Sequence, residues 1–194
     1  NLREVDELVF LDIAASMEDS EPDYTLIDYL ADDCFMPMTV GGGIKTIEHA
    51  RRVLQVGADK VAINTGAIED PSLVTRIADR FGSQCVVISI DYRTHIDGRR
   101  EIFSHSGTKQ TGLDPVEFAK SVEHLGAGEI LLTSIDRDGT YTGYDIDTIR
   151  EVTDVVNVPV IASGGAGGYD DMRKAIMDGN ASAVAAASIF HFTQ

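Results

Sequence analysis

Short apolar runs alternate with amphipathic segments from one end of the chain to the other. The runs are "ELVFLDI" (7–13), "MPMTVG" (36–41), "KVAINT" (60–65), "CVVISID" (85–91), "EILLTSID" (129–136), "PVIASG" (159–164) and "SAVAAAS" (182–188). Most are continuously apolar, the pattern of strands buried on both faces. Between them, 25–33, 46–56, 70–81, 114–125, 146–156 and 169–178 have helical periodicity. "EDPSLVTRI" and "LDPVEFAKS" each offer an Asp as N-cap and a Pro as first helical residue. No second composition regime interrupts the alternation, which predicts one parallel α/β domain over residues 1–194.

The chain also repeats itself. "TVGGGIKT" (39–46) returns as "ASGGAGGY" (162–169). Aligning Pro37 with Pro159 puts Gly42 and Gly43 on Gly164 and Gly165, and Gly57 on Gly179. One residue of slippage then puts Asn64 and Thr65 on Ala187 and Ser188. One strand earlier, Asp12 of "FLDI" is matched with Asp136 of "TSID", 124 residues on. Two halves of a repeated (βα)8 barrel are expected. That register asks for eight strands, and seven are legible. The counterpart of "CVVISID" falls before Asn1, and only "IFHFTQ" follows the last run. A barrel of this kind typically needs about 250 residues, against 194 here. The expectation is therefore a TIM-barrel chain lacking its first βα unit and closing helix; because Asn1 is not a methionine, it starts inside a gene product, after processing or at a cloning junction. Open edges at 7–13 and 182–188 would invite pairing with another copy.

Strand ends are where barrels place chemistry. Glycines there let backbone N–H groups approach an anion, and the following helix adds its dipole. "GGG" beside "INT" makes one candidate phosphate cradle, and "SGGAG" beside "AAS" a second. Gly42, Gly43, Asn64 and Thr65 belong to the first; Gly164, Gly165, Ala187 and Ser188 belong to the second. Two matched cradles suit a molecule with a phosphate at each end. Asp12, Asp91 and Asp136 end apolar runs and are acid–base candidates, and Asp138 follows in "DRDGT". Asp91 stands at the centre of the repeat. The long segment 92–112 follows it, with a hairpin expected at "IDGRREIF" and a covering role over the site. Glu7, Asp59, Lys60 and Glu129 mark strand starts and would ring the opposite face as a polar gate or docking ring.

The formal net charge of −16 opposes nucleic acid and anionic membrane surfaces. Neutral backbone donors are then the natural means of holding an anion. No run is long enough to span a membrane. Cys34 and Cys85 lie in or beside apolar runs, as buried reduced thiols do, and a cytoplasmic location is expected. His49, His95, His105, His124 and His191 show no metal-ligand spacing, and neither metal nor cofactor is expected.

These motifs together resemble the cyclase subunits of imidazole glycerol phosphate synthase, a histidine-biosynthesis enzyme. The likeness runs through "DELVFLDI", "TVGGGI", "GADKVAINT", "FGSQCVV", "TGLDPVEFAK", "LGAGEILLTSIDRDGT", "PVIASGGAG" and "AASIFHF". It implies a (βα)8 barrel and ammonia-dependent cyclisation of a bis-phosphorylated ribulosyl aminoimidazole carboxamide intermediate. Asp91 would be one of two catalytic aspartates, the other belonging to a first strand not in this sequence. Gly43, Asn64 and Thr65 would hold one phosphate, and Gly165, Ala187 and Ser188 the other. Ser106, Thr133, Asp138 and Ser163 would line the site. Asp59 would face a glutaminase partner, and Glu7, Lys60 and Glu129 would form part of an ammonia gate. "MEDSEPDYTLIDYLADDCFMP" and "FSHSGTKQTGLDP" also look like cyclase paralogues of surface-sugar amidation pathways. An inactive, phosphate-binding remnant that oligomerises is the reading from another class.

Overall fold

The computed structural model describes residues 5–18 and 20–191, so residues 1–4, Asp19 and the last three, which end the "IFHFTQ" stretch, lie outside the described part. Seven parallel strands form the sheet: β1 (Leu8–Leu11), β2 (Met38–Gly41), β3 (Lys60–Ile63), β4 (Val86–Thr94), β7 (Glu129–Ser134), β8 (Val160–Ser163) and β9 (Ala183–Val184). They pair in chain order, with β1 and β9 as the two outer strands. Two antiparallel additions, β5 (Arg100–Ser104) and β6 (Lys109–Gln110), hang from β4. Helices fill the crossovers. They are α1 (Ile13–Met17), α2 (Tyr24–Asp33), α3 (Ile47–Gln55), α4 (Thr65–Glu69), α5 (Ser72–Phe81), α6 (Pro115–His124), α7 (Ile146–Thr153) and α8 (Tyr169–Met177), with α9 (Ser188–His191) last.

The strands read as continuously apolar because they bury both faces, in two separate cores. Val61, Ile63, Val86, Ile88, Ile90, Ile130 and Leu132 pack outward under the helices with Val53, Leu73, Ile77 and Val122. The alternate residues Ala62, Val87 and Leu131 meet Val9, Ile161 and Ala185 in a smaller inner cluster. An inner cluster drawing on strands from β1 to β8 requires the sheet to curl, and side chains on its concave face stack in layers as in a barrel.

The internal repeat is real to the residue. Leu8, Val9, Phe10 and Leu11 pair with Met38, Thr39, Val40 and Gly41; Ile130, Leu131, Leu132 and Thr133 pair with Val160, Ile161, Ala162 and Ser163. Every member of the second set lies 122 residues after the first. The slip to 123 also holds, since Thr39 pairs with Lys60 while Ile161 pairs with Ala183. One expectation changes. The register matches Asp12 with Ser134, not with Asp136, and the backbone agrees. A Cβ on Gly42 would lie 2.1 Å from the Asp12 carbonyl, and one on Gly164 would lie 2.5 Å from that of Ser134.

Other local expectations need correction. Asp114 caps α6, accepting from the Val116 and Glu117 amides, with Pro115 first in the helix. At α5 the cap position is Pro71 itself, and Asp70 sits one residue outside, bound to Ser72 and Arg76. β9 is two residues long, so Ala187 and Ser188 lie beyond it. Cys34 and Cys85 are free but only half-buried, each thiol meeting a nearby carbonyl.

Candidate active site

The concave face of the sheet is polar at both ends and apolar between. The lowest layer, at the strand starts, is an ion cluster. Lys60 Nζ donates to Glu7 Oε2 at 2.9 Å and to Glu129 Oε1 at 2.6 Å, and Thr39 Oγ1 donates to Glu7 Oε1. Burial alone would lower the Lys60 pKa, but the two carboxylates outweigh it and hold the ammonium protonated. The second oxygen of Glu129 is buried with no hydrogen-bond partner. Asp59 stays apart from this cluster: it is exposed, and its carboxylate accepts from the Met38 amide at 2.8 Å. The inner apolar cluster closes the middle layer.

The upper layer brings together Leu11, Asn64, Ser89, Asp91, Thr133 and Ser163, each on the parity that faces inward. Asp91 does not end its strand, as the sequence suggests, because β4 runs on to Thr94. It stands where β4 changes partners. β3 pairs with β4 only as far as Ile88, and β5 takes over at the Asp91–Phe103 pair. On the other flank Asp91 pairs with Thr133 of β7. Burial pushes the Asp91 carboxyl up to about 6. Hydrogen bonds from Ser89, at 2.9 Å, and Thr133 pull it back, and the nearby Asp138 charge adds to the rise. A carboxyl poised there exchanges protons readily near neutrality.

A cavity of about 80 Å³ opens beside Asp91, lined by Asp12, Gly42, Gly43, Asn64, Thr65, Ser89 and Ser106 among others. The first glycine turn is one wall. Gly42 and Gly43 have φ of 105° and 68°, conformations open to glycine and strained for other residues. The space is equally restrictive, because a Cβ on Gly43 would fall 2.6 Å from the Ser20 carbonyl. Thr46 caps α3, accepting from the His49 amide at 3.1 Å. Asp12 both lines the cavity and caps α1 through the Ala15 amide.

The segment after Asp91 is a docked hairpin. Gly98 turns it, its amide donating to the His95 carbonyl. Asn64 Nδ2 donates to the carbonyls of Ser89 and Phe103, and the His105 amide donates to Thr65 Oγ1 at 3.0 Å. Asn64 and Thr65 therefore fasten the hairpin to the strand ends, as well as facing the cavity. Ser106 Oγ reaches across to the Ile13 carbonyl at 3.2 Å, bridging the cavity mouth.

The second turn has the same build but does not share the cavity. Gly164 and Gly165 have φ of 86° and 104°. The Gly143 amide donates to the Gly165 carbonyl at 2.7 Å. Ala187 is exposed, Ser188 is half-buried at the start of α9, and Ser163 and Thr133 lie on the sheet between the two turns. Asp136 is exposed and accepts from the Thr94 amide, bracing the hairpin. Two contributors escaped the sequence reading. Lys45 brings a cation to the cavity wall, and Ser89 holds Asp91. The period-two alternation on "CVVISID" puts Ser89 beside Asp91 and could have found it. Among the described residues no group of three or more His, Cys, Asp or Glu is placed to hold a metal, and no helix is long and apolar enough to cross a membrane.

A parallel α/β sheet curled about an apolar layer, with a buried carboxyl and glycine turns at its upper end, defines a protein of the TIM-barrel class. The chain belongs to the histidine biosynthesis protein family, whose model matches residues 1–194.

Proposed function

We propose that this chain is a cyclase of the imidazole glycerol phosphate synthase type, acting on a bis-phosphorylated ribulosyl aminoimidazole carboxamide intermediate with ammonia. The observation that carries the reading is Asp91. Its carboxyl, with a pKa of about 6, lies on the inner face between two glycine turns that are copies in register. The first turn, with Asn64 and Thr65, takes one phosphate; Gly164, Gly165, Ala187 and Ser188 take the other. Backbone amides suit this task in a chain of net charge −16. Mostly ionised at neutral pH, Asp91 accepts a proton from the intermediate as the ring closes and returns it to the departing group. Thr133, Ser163, Ser106 and Asp138 orient the substrate, with Asp12 at the cavity wall.

Ammonia comes from a glutaminase partner at the strand-start face, where Asp59 is exposed, and passes the Lys60 cluster with Glu7 and Glu129. Among the described residues the outer flanks of β1 and β9 pair with no other strand, and a second copy of the chain is the further partner proposed for them. Sedimentation velocity across a concentration series tests this, and a single species of monomer mass throughout excludes it. For the activity itself, the test is steady-state turnover of the bis-phosphate with ammonium salts. Asp91→Asn is expected to lower kcat by about 10²–10⁴-fold. Full turnover by that variant would remove Asp91 from the role, and absence of bis-phosphate binding to the wild type would remove the whole reading.

A further inference from the structure

We propose that His49 is a positioning residue that aims the first glycine turn at its anion and makes that grip depend on pH. The inference rests on reading that turn as a phosphate subsite. His49 lies in the first turn of α3, its side chain 17% exposed. Its Nδ1 faces two groups of the turn at once: the Gly43 carbonyl at 3.1 Å and the Lys45 amide at 3.4 Å. One is an acceptor and the other a donor, so the protonation state of this nitrogen selects between them. Neutral with Nδ1 bare, the ring accepts from Lys45. Protonated, it donates to Gly43 instead, and the Lys45 amide is released on the cavity wall.

The Gly43 contact also sets direction. In a trans peptide the carbonyl and the following N–H point opposite ways. Holding the Gly43 carbonyl toward His49 turns the Ile44 N–H away from the ring, and Gly43, Ile44 and Lys45 all line the cavity. Protonation therefore strengthens the anchor, adds a donor and brings a positive charge behind the turn. The ionisable group shown against the ring is Glu21, with Oε1 3.8 Å from Nε2; Glu48 and Arg52 share α3 with His49, and Lys45 sits on the turn. Glu21 also holds Arg52, which lies over the Tyr24 ring.

The repeat supplies an independent comparison. The counterpart of His49 is Asp171, and that of Lys45 is Gly167. The same staple is present there, with the Gly167 amide donating to Asp171 Oδ2 at 3.1 Å. Both halves thus tie the turn back to the third residue of the following helix. In the second half the staple is a carboxylate, which only accepts and carries negative charge. In the first it is an imidazole, whose Nδ1 accepts when bare and donates when protonated. The two turns are accordingly unequal: the first should hold an anion more tightly, and increasingly so as pH falls.

Sulfate, doubly charged across the range used, is the probe. Amide chemical shifts of Lys45 and Gly167 in the full chain read the two turns separately during titration from pH 8 to pH 5.5. Wild type is expected to tighten at Lys45 by about tenfold toward acid, with little change at Gly167. The amide nitrogen of Asn sits where Nδ1 sits, so His49→Asn should keep binding at Lys45 but lose its pH dependence. His49→Asp, which copies the second turn, should weaken it at every pH. A pH profile in His49→Asn equal to wild type would overturn the role of His49, and so would unweakened binding in His49→Asp. If wild type shows no response at Lys45, the phosphate-subsite reading falls and this inference with it. His49→Asn keeps a neutral side chain at the same site, so loss of fold in the Asp variant still leaves a decisive arm.

Discussion

Asp91 shows how one side chain's surroundings decide its chemistry. The strand that carries it changes partners at that residue, so it faces the cavity while its neighbours stay packed. A folded-state pKa near 6 has a consequence for stability as well as for rate. Between about pH 4 and pH 6 the folded chain binds a proton that the unfolded chain has lost, so stability contributed by this group falls as pH rises through that window. Above pH 6 the folded state carries a buried charge. Asp91→Asn should therefore raise the unfolding free energy by about 1–3 kcal/mol at pH 8 and have little effect at pH 4. Urea denaturation at the two pH values measures it, and equal effects at both would contradict the assigned burial cost. The sequence made Asp91 conspicuous through its place in the repeat. Its elevated pKa was not legible, because that depends on burial in the folded sheet and on Asp138, which is 47 residues away.

At the scale of elements, the strands and most helices were legible because apolar runs and Asp–Pro starts are local signals. What was not local was misjudged. The hairpin carried its own turn signal at Asp97–Gly98, but its docking through Asn64 and Thr65 depends on pairings made only after the sheet forms. Glu101 secures its base: the buried carboxylate accepts from the Gly112 amide at 2.7 Å and lies 2.7 Å from His95 Nε2. Glu101→Ala orphans that amide, and a loss of about 1–3 kcal/mol is expected, with faster proteolysis at the hairpin tip. The glycine turns give a sharper contrast. Gly42→Ala combines a forbidden φ with the Asp12 carbonyl, and should cost about 3 kcal/mol or more. Gly168, extended and with no atom within 4 Å of an added Cβ, should accept Ala within about 0.5 kcal/mol. Thermal melts of the two variants decide this, and similar losses would refute the distinction.

Across the whole molecule, the register of 122 residues was readable from glycines alone, while the pairing of Asp12 with Ser134 needed the strands themselves. The three layers of the concave face explain the difference. Glycines mark where backbone must approach backbone, whereas carboxylates recur for several reasons, as the exposed Asp136 shows. The lowest layer makes its own prediction. Lys60→Met leaves Glu7 and Glu129 facing each other with no cation, and should cost about 3–5 kcal/mol near pH 8. Lys60→Arg, which keeps the cation between them, should cost less. Chemical denaturation of the two variants checks this, and equal losses would contradict it. The hairpin, finally, reaches the first half of the sheet at two points: the His105 amide donates to Thr65 Oγ1 and Ser106 Oγ to the Ile13 carbonyl, beside the cavity that Gly42 and Gly43 line. Whatever enters that cavity passes the Ser106–Ile13 contact, so one hydrogen bond between segments 93 residues apart acts as its latch.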